Sequence, residues 1–311
     1  MKTFLKSAIA DCVALLPWGA REEIKNRLVE TNGRYEFFAE LAQAFNVETL
    51  QVRGKYGSIQ SGPNDLSILQ TYARTGVWAE RTNSIVREFF LKHGEGTYID
   101  IGANIGLTTI PIAANAKVSC LAIEPEPRNY QNLVANVARN CSHGNVQTIS
   151  VAVFSKRTKV NFELASANLG DHRLRMMDSK VNELGESERP VITVDALPLD
   201  DIAPAKLGKL AIKMDVQGAE PFVFEGGPRT LGQADLIVME FWPYSMARMG
   251  ADPEIALTFL REKFSHLSLA ESEVDVPSRP RPVEEALSTL RAFFRSNSET
   301  RSRYLDIIAE K

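Results

Sequence analysis

One stretch, Tyr98-Ile99-Asp100-Ile101-Gly102-Ala103-Asn104-Ile105-Gly106, followed after a helix-length gap by Leu121-Ala122-Ile123-Glu124-Pro125, constrains this chain more than any other. A short apolar run carrying one acid is what a buried strand looks like where its last residues emerge at a ligand crevice. Gly102 and Gly106 flank a turn into the apolar run 107–114, so backbone can approach a ligand where side chains would block it. Residues 118–123 read as a second strand ending in Glu124, whose carboxylate would accept hydrogen bonds from both hydroxyls of a ribose. The implied ligand carries an adenosine.

Two kinds of cofactor carry one. Dinucleotide enzymes use G-x-G-x-x-G to set amides on a pyrophosphate, whereas here three residues separate Gly102 from Gly106. A carboxylate at Asp100, just ahead of the loop, would repel a pyrophosphate and favour the amino group of a methionine moiety. S-adenosyl-L-methionine (SAM) is therefore the expected cofactor, with Asp100, Gly102, Ala103, Asn104, Gly106, Glu124 and Pro125 around it. The rival is an NAD-dependent sugar oxidoreductase, motivated by the same turn and Glu124. Against it stand the missing G-x-G-x-x-G and the lack of a suitably placed Tyr-x-x-x-Lys pair.

A net charge of -3 opposes a nucleic-acid substrate, because binders of phosphate backbones usually display a concentrated basic face. Cys12, Cys120 and Cys141 are too scattered for a zinc site and odd in number for a disulfide framework, which fits a reducing cytoplasm. Near the N-terminus, apolar residues recur at helical spacing over residues 4–16, while Asp11 interrupts any signal-peptide core. That amphipathic helix is expected to dock on protein, with a homodimer partner or a peripheral membrane surface as alternatives. No segment approaches the roughly 20 apolar residues of a transmembrane helix.

Residues 1–95 read as a helical cap, with amphipathic periodicity over 21–30 and 35–45 and a break at Asn32-Gly33. From there the pattern becomes strands alternating with helices: strand 97–101, helix 105–115, strand 118–123, helix 127–140, strand 146–152. The fold class is α/β, a doubly wound, mostly parallel sheet over 96–311. Residues 160–164 alternate like a solvent-facing strand, and the polar interval 165–190 is expected to loop over the site before another strand at 191–194. Strands over 210–215 and 236–240 also end in acids, so Asp100, Glu124, Asp215 and Glu240 should converge where the carboxyl ends of strands meet ligands. A helix over 283–295 follows, and 304–309 reads as an antiparallel edge strand.

Three blocks, Ile99 to Gly106 with Glu124-Pro125 and Leu133, Asn136 and Asn140, then Ala167-Asn168-Leu169-Gly170-Asp171-His172, then Lys213-Met214-Asp215-Val216-Gln217-Gly218-Ala219-Glu220, make the chain resemble the FkbM family of SAM-dependent methyltransferases. The likeness runs over roughly residues 57–270. It implies a class I methyltransferase Rossmann-like fold and O-methylation of a sugar or secondary-metabolite hydroxyl. It also implies adenine contacts near Val153, although an acid often found after the third core strand is missing there. A second departure is Gln217, where the family usually carries an acid. An amide keeps hydrogen-bonding capacity but cannot hold charge or act as a base. A methyltransferase-like protein that binds without catalysing is the reading this departure motivates.

Methyl transfer to an alcohol needs an in-line arrangement and, because an alcohol is a poor nucleophile, a base or a metal. The catalytic candidates are Asp215, His172 and Glu240. Asp215 ranks first, and it could also cap a helix over 217–226. Asp215 and Glu240 are two acids with no third identifiable ligand, so no metal site is assigned. Lys213 should share the Asp215 side of the sheet and pair with a carboxylate. Acceptor-binding candidates are Asn168, Arg173, Glu220, at the start of a helix, and Trp242.

Overall fold

The computed structural model describes residues 31–166, 168–176, 186–206, 208–271, 277–300 and 303–311. The helix expected over residues 4–16, with whatever partner it serves, and the segment 21–30 lie outside them. Among the described residues no helix is long and apolar enough to cross a membrane.

The N-terminal region is not wholly helical, which corrects that expectation. After α1 (Thr31–Ala44), β1 (Leu50–Gly54) turns back on β2 (Gly57–Ser61) as an antiparallel hairpin, followed by α2 (Ile68–Thr75) and α3 (Glu80–His93). The strand signal was local: Leu50 and Val52 alternate with polar residues, and Gly54 and Gly57 bracket a two-residue loop.

The parallel core begins at β3 (Gly96–Ile101) and continues through α4 (Ile110–Ala113), β4 (Val118–Ile123), α5 (Pro127–Asn140) and β5 (Val146–Ile149). The helix expected over 105–115 shrinks to α4. The residues before it form the turn, where Asn104 and Gly106 take φ values of 50° and 94° that no helix accommodates. α5 starts cleanly: Pro127 sits in its first turn, and Glu126 caps it by accepting from the Asn129 amide at 2.6 Å.

One face of α5 closes the open edge of the hairpin. Asn140 Oδ1 accepts from Ser58 N at 3.0 Å and Asn136 Oδ1 from Gln60 N at 2.8 Å, while their amide nitrogens donate to Ser58 O and Gln60 O at 3.0 Å. Asn132 Oδ1 meets the Gln60 side chain at 3.0 Å. Asn136 also donates to Ile105 O at 2.9 Å, joining the glycine turn to the same clamp.

A second, four-stranded sheet follows, made of β6 (Ala152–Val153), β7 (Thr158–Glu163), β8 (Arg173–Leu174) and β9 (Val191–Leu197) in the order β6-β9-β7-β8. The interval expected as a loop thus contains a short strand. The chain then runs through α6 (Leu199–Ile202), β10 (Lys209–Met214), α7 (Glu220–Gly226), α8 (Pro228–Gly232), β11 (Leu236–Phe241), α9 (Pro243–Met249), α10 (Pro253–Lys263), β12 (His266–Ala270), β13 (Arg281–Pro282), α11 (Val283–Asn297) and β14 (Leu305–Glu310).

The main sheet has the order β13-β12-β14-β11-β10-β3-β4-β5, parallel from β11 to β5. The doubly wound, mostly parallel architecture is as expected. The last strand is antiparallel, as expected, but it is not an edge: β14 inserts between β11 and β12.

Alternation along these strands sorts the core. Ile99, Ile101, Ile212, Met214 and Met239 pack on one face, and Tyr98, Ala211, Leu236 and Val238 pack on the other with Phe89 and Phe90 of α3. Asp100, Lys213, Glu240 and Asp306 fall on this second face. Register sets Lys213 beside Asp100 and Glu240 beside Asp306. A charged row therefore crosses four neighbouring strands near their ligand-facing ends, and Arg81 of α3 closes it by pairing with Asp306.

Candidate active site

A cavity of about 820 Å³ opens where the parallel strands end, lined by residues of the main sheet, the second sheet and the N-terminal region. Such a volume suits a cofactor together with an acceptor.

At one end lies the glycine turn. Gly102 has φ 78°, and a Cβ there would collide with the Asp215 carbonyl oxygen; Gly106 has φ 94°, with Leu133 Cδ1 2.9 Å from where its Cβ would be. Asn104 N donates to Glu124 Oε2 and Glu126 N to Glu124 Oε1, each at 2.9 Å. Burial pushes the Glu124 carboxyl up to about 7 against these two amides. Glu124 lines the cavity with Gly102, Ala103, Asn104, Pro125 and Val153; Gly106 does not, because its α-carbon packs against Leu133 and Ile110, which corrects its expected contact with the cofactor. A buried carboxyl beside a turn whose first residue, Gly102, has no room for a Cβ fits a ribose and its neighbouring chain, so the residues present fit an adenosine cofactor.

Asp100 does not face the crevice, which corrects its expected contact with the cofactor. It is fully buried and forms no part of the cavity wall. Its Oδ2 accepts from Thr108 Oγ1 and Thr109 Oγ1 at 2.7 Å, and Lys213 Nζ sits 3.2 Å from Oδ1. Asp100 thereby holds the turn from beneath. Lys213 also donates to Gly102 O at 2.8 Å. Burial works against its ammonium, but Asp100 and Asp215 outweigh that and hold it above the ordinary lysine value.

The other end is acidic. Asp215 follows β10 directly, lines the cavity and keeps 44% of its side chain exposed, with Oδ2 4.0 Å from Lys213 Nζ. It caps no helix, because α7 starts later and Ala219 occupies its N-cap position. Gln217 Nε2 donates to Asp215 Oδ1 at 2.7 Å and to Glu240 Oε2 at 3.0 Å. Burial, then Asp215, Asp306 and Glu220, raise the Glu240 carboxyl well above the usual range.

His172 also lines the cavity and is no solvated loop residue: its Nδ1 accepts from Ala165 N at 2.9 Å, and burial lowers its pKa to about 4. The neutral ring that results carries its proton on Nε2. Asn168 and Trp242 reach the wall as expected.

Two acceptor candidates do not. Arg173 is fully buried among acids, pairing with Asp171 and lying 3.7 Å from Glu186 and 3.9 Å from Glu163, with its guanidinium 4.7 Å from the Trp242 ring centre. It backs the wall because a buried guanidinium needs this many partners. Glu220, also fully buried, turns Oε1 back to Val216 N at 3.1 Å, and burial pushes it up to about 8. It braces the 215–219 turn.

The sequence reading missed Thr108 and Thr109, although two hydroxyls just after the glycine turn were a visible signal. It also missed the Gln217 bridge, which has no local signal because Glu240 comes from another strand.

The family described as methyltransferase FkbM domain matches residues 100–266. No curated protein matches the chain. Among solved structures, it is similar to a precorrin-6Y C5,15-methyltransferase from Geobacter metallireducens GS-15 (12% identity, 74% of this chain and 88% of that one, TM-score 0.36). Another is M. jannaschii TYW2 in complex with AdoMet (12% identity, 85% and 87%, TM-score 0.36). Likeness this distant adds nothing to the assignment, which the family match carries. Covering more than half of the chain, that match makes this protein a member of the FkbM methyltransferase family, with SAM as its cofactor.

Proposed function

We propose that this methyltransferase acts on a hydroxyl of a sugar or secondary-metabolite acceptor, with Asp215 taking the hydroxyl proton. Family membership replaces the sugar oxidoreductase reading. Bound SAM supplies a methyl group activated by its sulfonium. An alcohol attacks well only as its proton leaves, so the site needs an acceptor for that proton.

The observation that carries the reading is the contrast among three titratable groups on the cavity wall. Glu240 accepts from the Gln217 amide and its carboxyl is pushed well above the usual range, and the His172 Nδ1 lone pair is taken by Ala165 N. Asp215 reaches the cavity with an exposed oxygen. In this reading Asp215 Oδ2 takes the proton, and the His172 Nε2–H donates to an acceptor oxygen. Asn168 and Trp242 hold the acceptor by hydrogen bonding and by an apolar face. On the cofactor side, Glu124 accepts from the ribose hydroxyls through lone pairs its two amides leave free. The backbone of the turn from Gly102 to Ile105 lies along the cofactor, Pro125 and Val153 flank the adenine, and the N-terminal region caps the domain that begins at residue 96.

The test is transfer of a labelled methyl group from SAM to a panel of hydroxylated sugars and polyketides. A methyl ether product, lost in Asp215→Asn, is expected. Methylation on carbon or nitrogen, or turnover untouched by Asp215→Asn, would overturn the reading. Any turnover disposes of the binding-only alternative.

A further inference from the structure

We propose that Gln217 is a positioning residue: its side-chain amide ties Asp215 to Glu240 and thereby fixes which Asp215 oxygen meets the acceptor. The inference rests on the assignment of Asp215 as the proton acceptor.

A primary amide has two N–H bonds, and Gln217 directs them to Asp215 Oδ1 at 2.7 Å and Glu240 Oε2 at 3.0 Å. It does so from an unusual backbone. Gln217 has φ 55°, a left-handed conformation that residues other than glycine seldom adopt. That conformation is clamped from outside the turn: Ser245 Oγ donates to Gln217 O, and Gly218, at φ 97°, packs on Ser245 with no room for a Cβ. The strain sits on the cavity wall.

The charges around the bridge explain why a donor is needed. Asp215, Glu240, Asp306 and Glu220 crowd one region, while Lys213 is engaged by Asp100 and Arg81 by Asp306. The Asp215 and Glu240 oxygens that face this gap are both acceptors, and the Gln217 amide supplies the donors that meet them. With Oδ1 anchored by the amide, Oδ2 is the Asp215 oxygen left for the acceptor. A glutamate at this position would add an acceptor and remove both donors, so amide chemistry, not side-chain length, is what the site uses.

Gln217→Met keeps the length and loses both hydrogen bonds, and Gln217→Glu replaces donors with charge. Both are expected to bind S-adenosylhomocysteine within about two-fold of wild type, with kcat lower by about ten- to hundred-fold and acceptor KM little changed. In the wild-type protein, nitrogen-proton NMR should find the Gln217 side-chain NH2 protected from solvent exchange, with its resonances moved by Asp215→Asn.

An NH2 that exchanges like an exposed glutamine, or a Gln217→Met enzyme with kcat within two-fold of wild type while Asp215→Asn is inactive, would overturn the positioning role alone. Joint loss of kcat and S-adenosylhomocysteine binding would overturn it too, by assigning Gln217 to the fold. Unchanged turnover in Asp215→Asn would instead remove the base assignment beneath it.

Discussion

At the glycine-turn end of the cavity, the carboxyl oxygens of Asp100 and Glu124 are met by hydroxyls, an ammonium or backbone amides. At the acidic end, Asp215 and Glu240 share one side-chain amide. At the first end every carboxyl oxygen already has a partner that holds the loop, and Glu124 alone of the two acids also faces the cavity. The second keeps oxygen atoms available to something that enters. Substitutions should therefore cost stability at one end and turnover at the other.

Asp215→Asn should show the largest effect, a fall in kcat of about 10²- to 10⁴-fold with a nearly unchanged melting temperature. Labelled methyl transfer and calorimetry together check it, and a large drop in melting temperature would break the comparison. Asp100→Ala should do the reverse. It leaves the Lys213 ammonium buried without its partner at 3.2 Å, at a cost of about 3–5 kcal/mol in denaturant unfolding. S-adenosylhomocysteine affinity should fall with it as the turn loosens, and adding Lys213→Met should restore part of the stability.

Glu220 sharpens the boundary because it is buried behind the acidic end without lining the cavity. Its folded pKa is about 8 against an ordinary 4.5, so the folded state binds the extra proton. Its contribution is full below about pH 4.5 and is lost as pH rises toward 8, by about 5 kcal/mol at most. Glu220→Gln should flatten that part of the stability-versus-pH curve, read by urea titration at several pH values. An unaltered slope would assign the loss elsewhere. The smallest effect is expected from Asn136→Ala, about 1–3 kcal/mol, through the freed Gln60 and Ile105 backbone groups. Hydrogen exchange should locate it in the hairpin and the glycine turn.

The glycine-turn end was the legible one. Apart from Lys213, its partners lie within about two dozen residues of each other, and a strand, a glycine turn and a terminal acid each have a local pattern, so β4 and α5 fall where the periodicity puts them. Asp100 shows the limit: the sequence places it at the strand end, but alternation turns it toward α3, and Lys213 and the two threonines then engage it. The acidic end depends on strand order. Nothing local to residues 304–309 says that β14 inserts beside β11, and that insertion is what brings Asp306 to Glu240. Arg173 misled for a related reason, since its polar surroundings in sequence become a buried ionic cluster only when β7, β8 and α9 assemble. The hairpin was legible and was overlooked.

The asparagine clamp is a problem of matching two rulers. Two residues of strand advance about 6.6 Å and four residues of helix about 6.0 Å, so a helix can imitate a neighbouring strand only while the difference stays small. Asn140 and Asn136 reach backbone groups of Ser58 and Gln60; by Asn132 the offset has grown, and the partner is a flexible side chain. A helix can thus lend a hairpin about two rungs of a third strand, and two suffice here to leave that edge closed to a strand from any other chain.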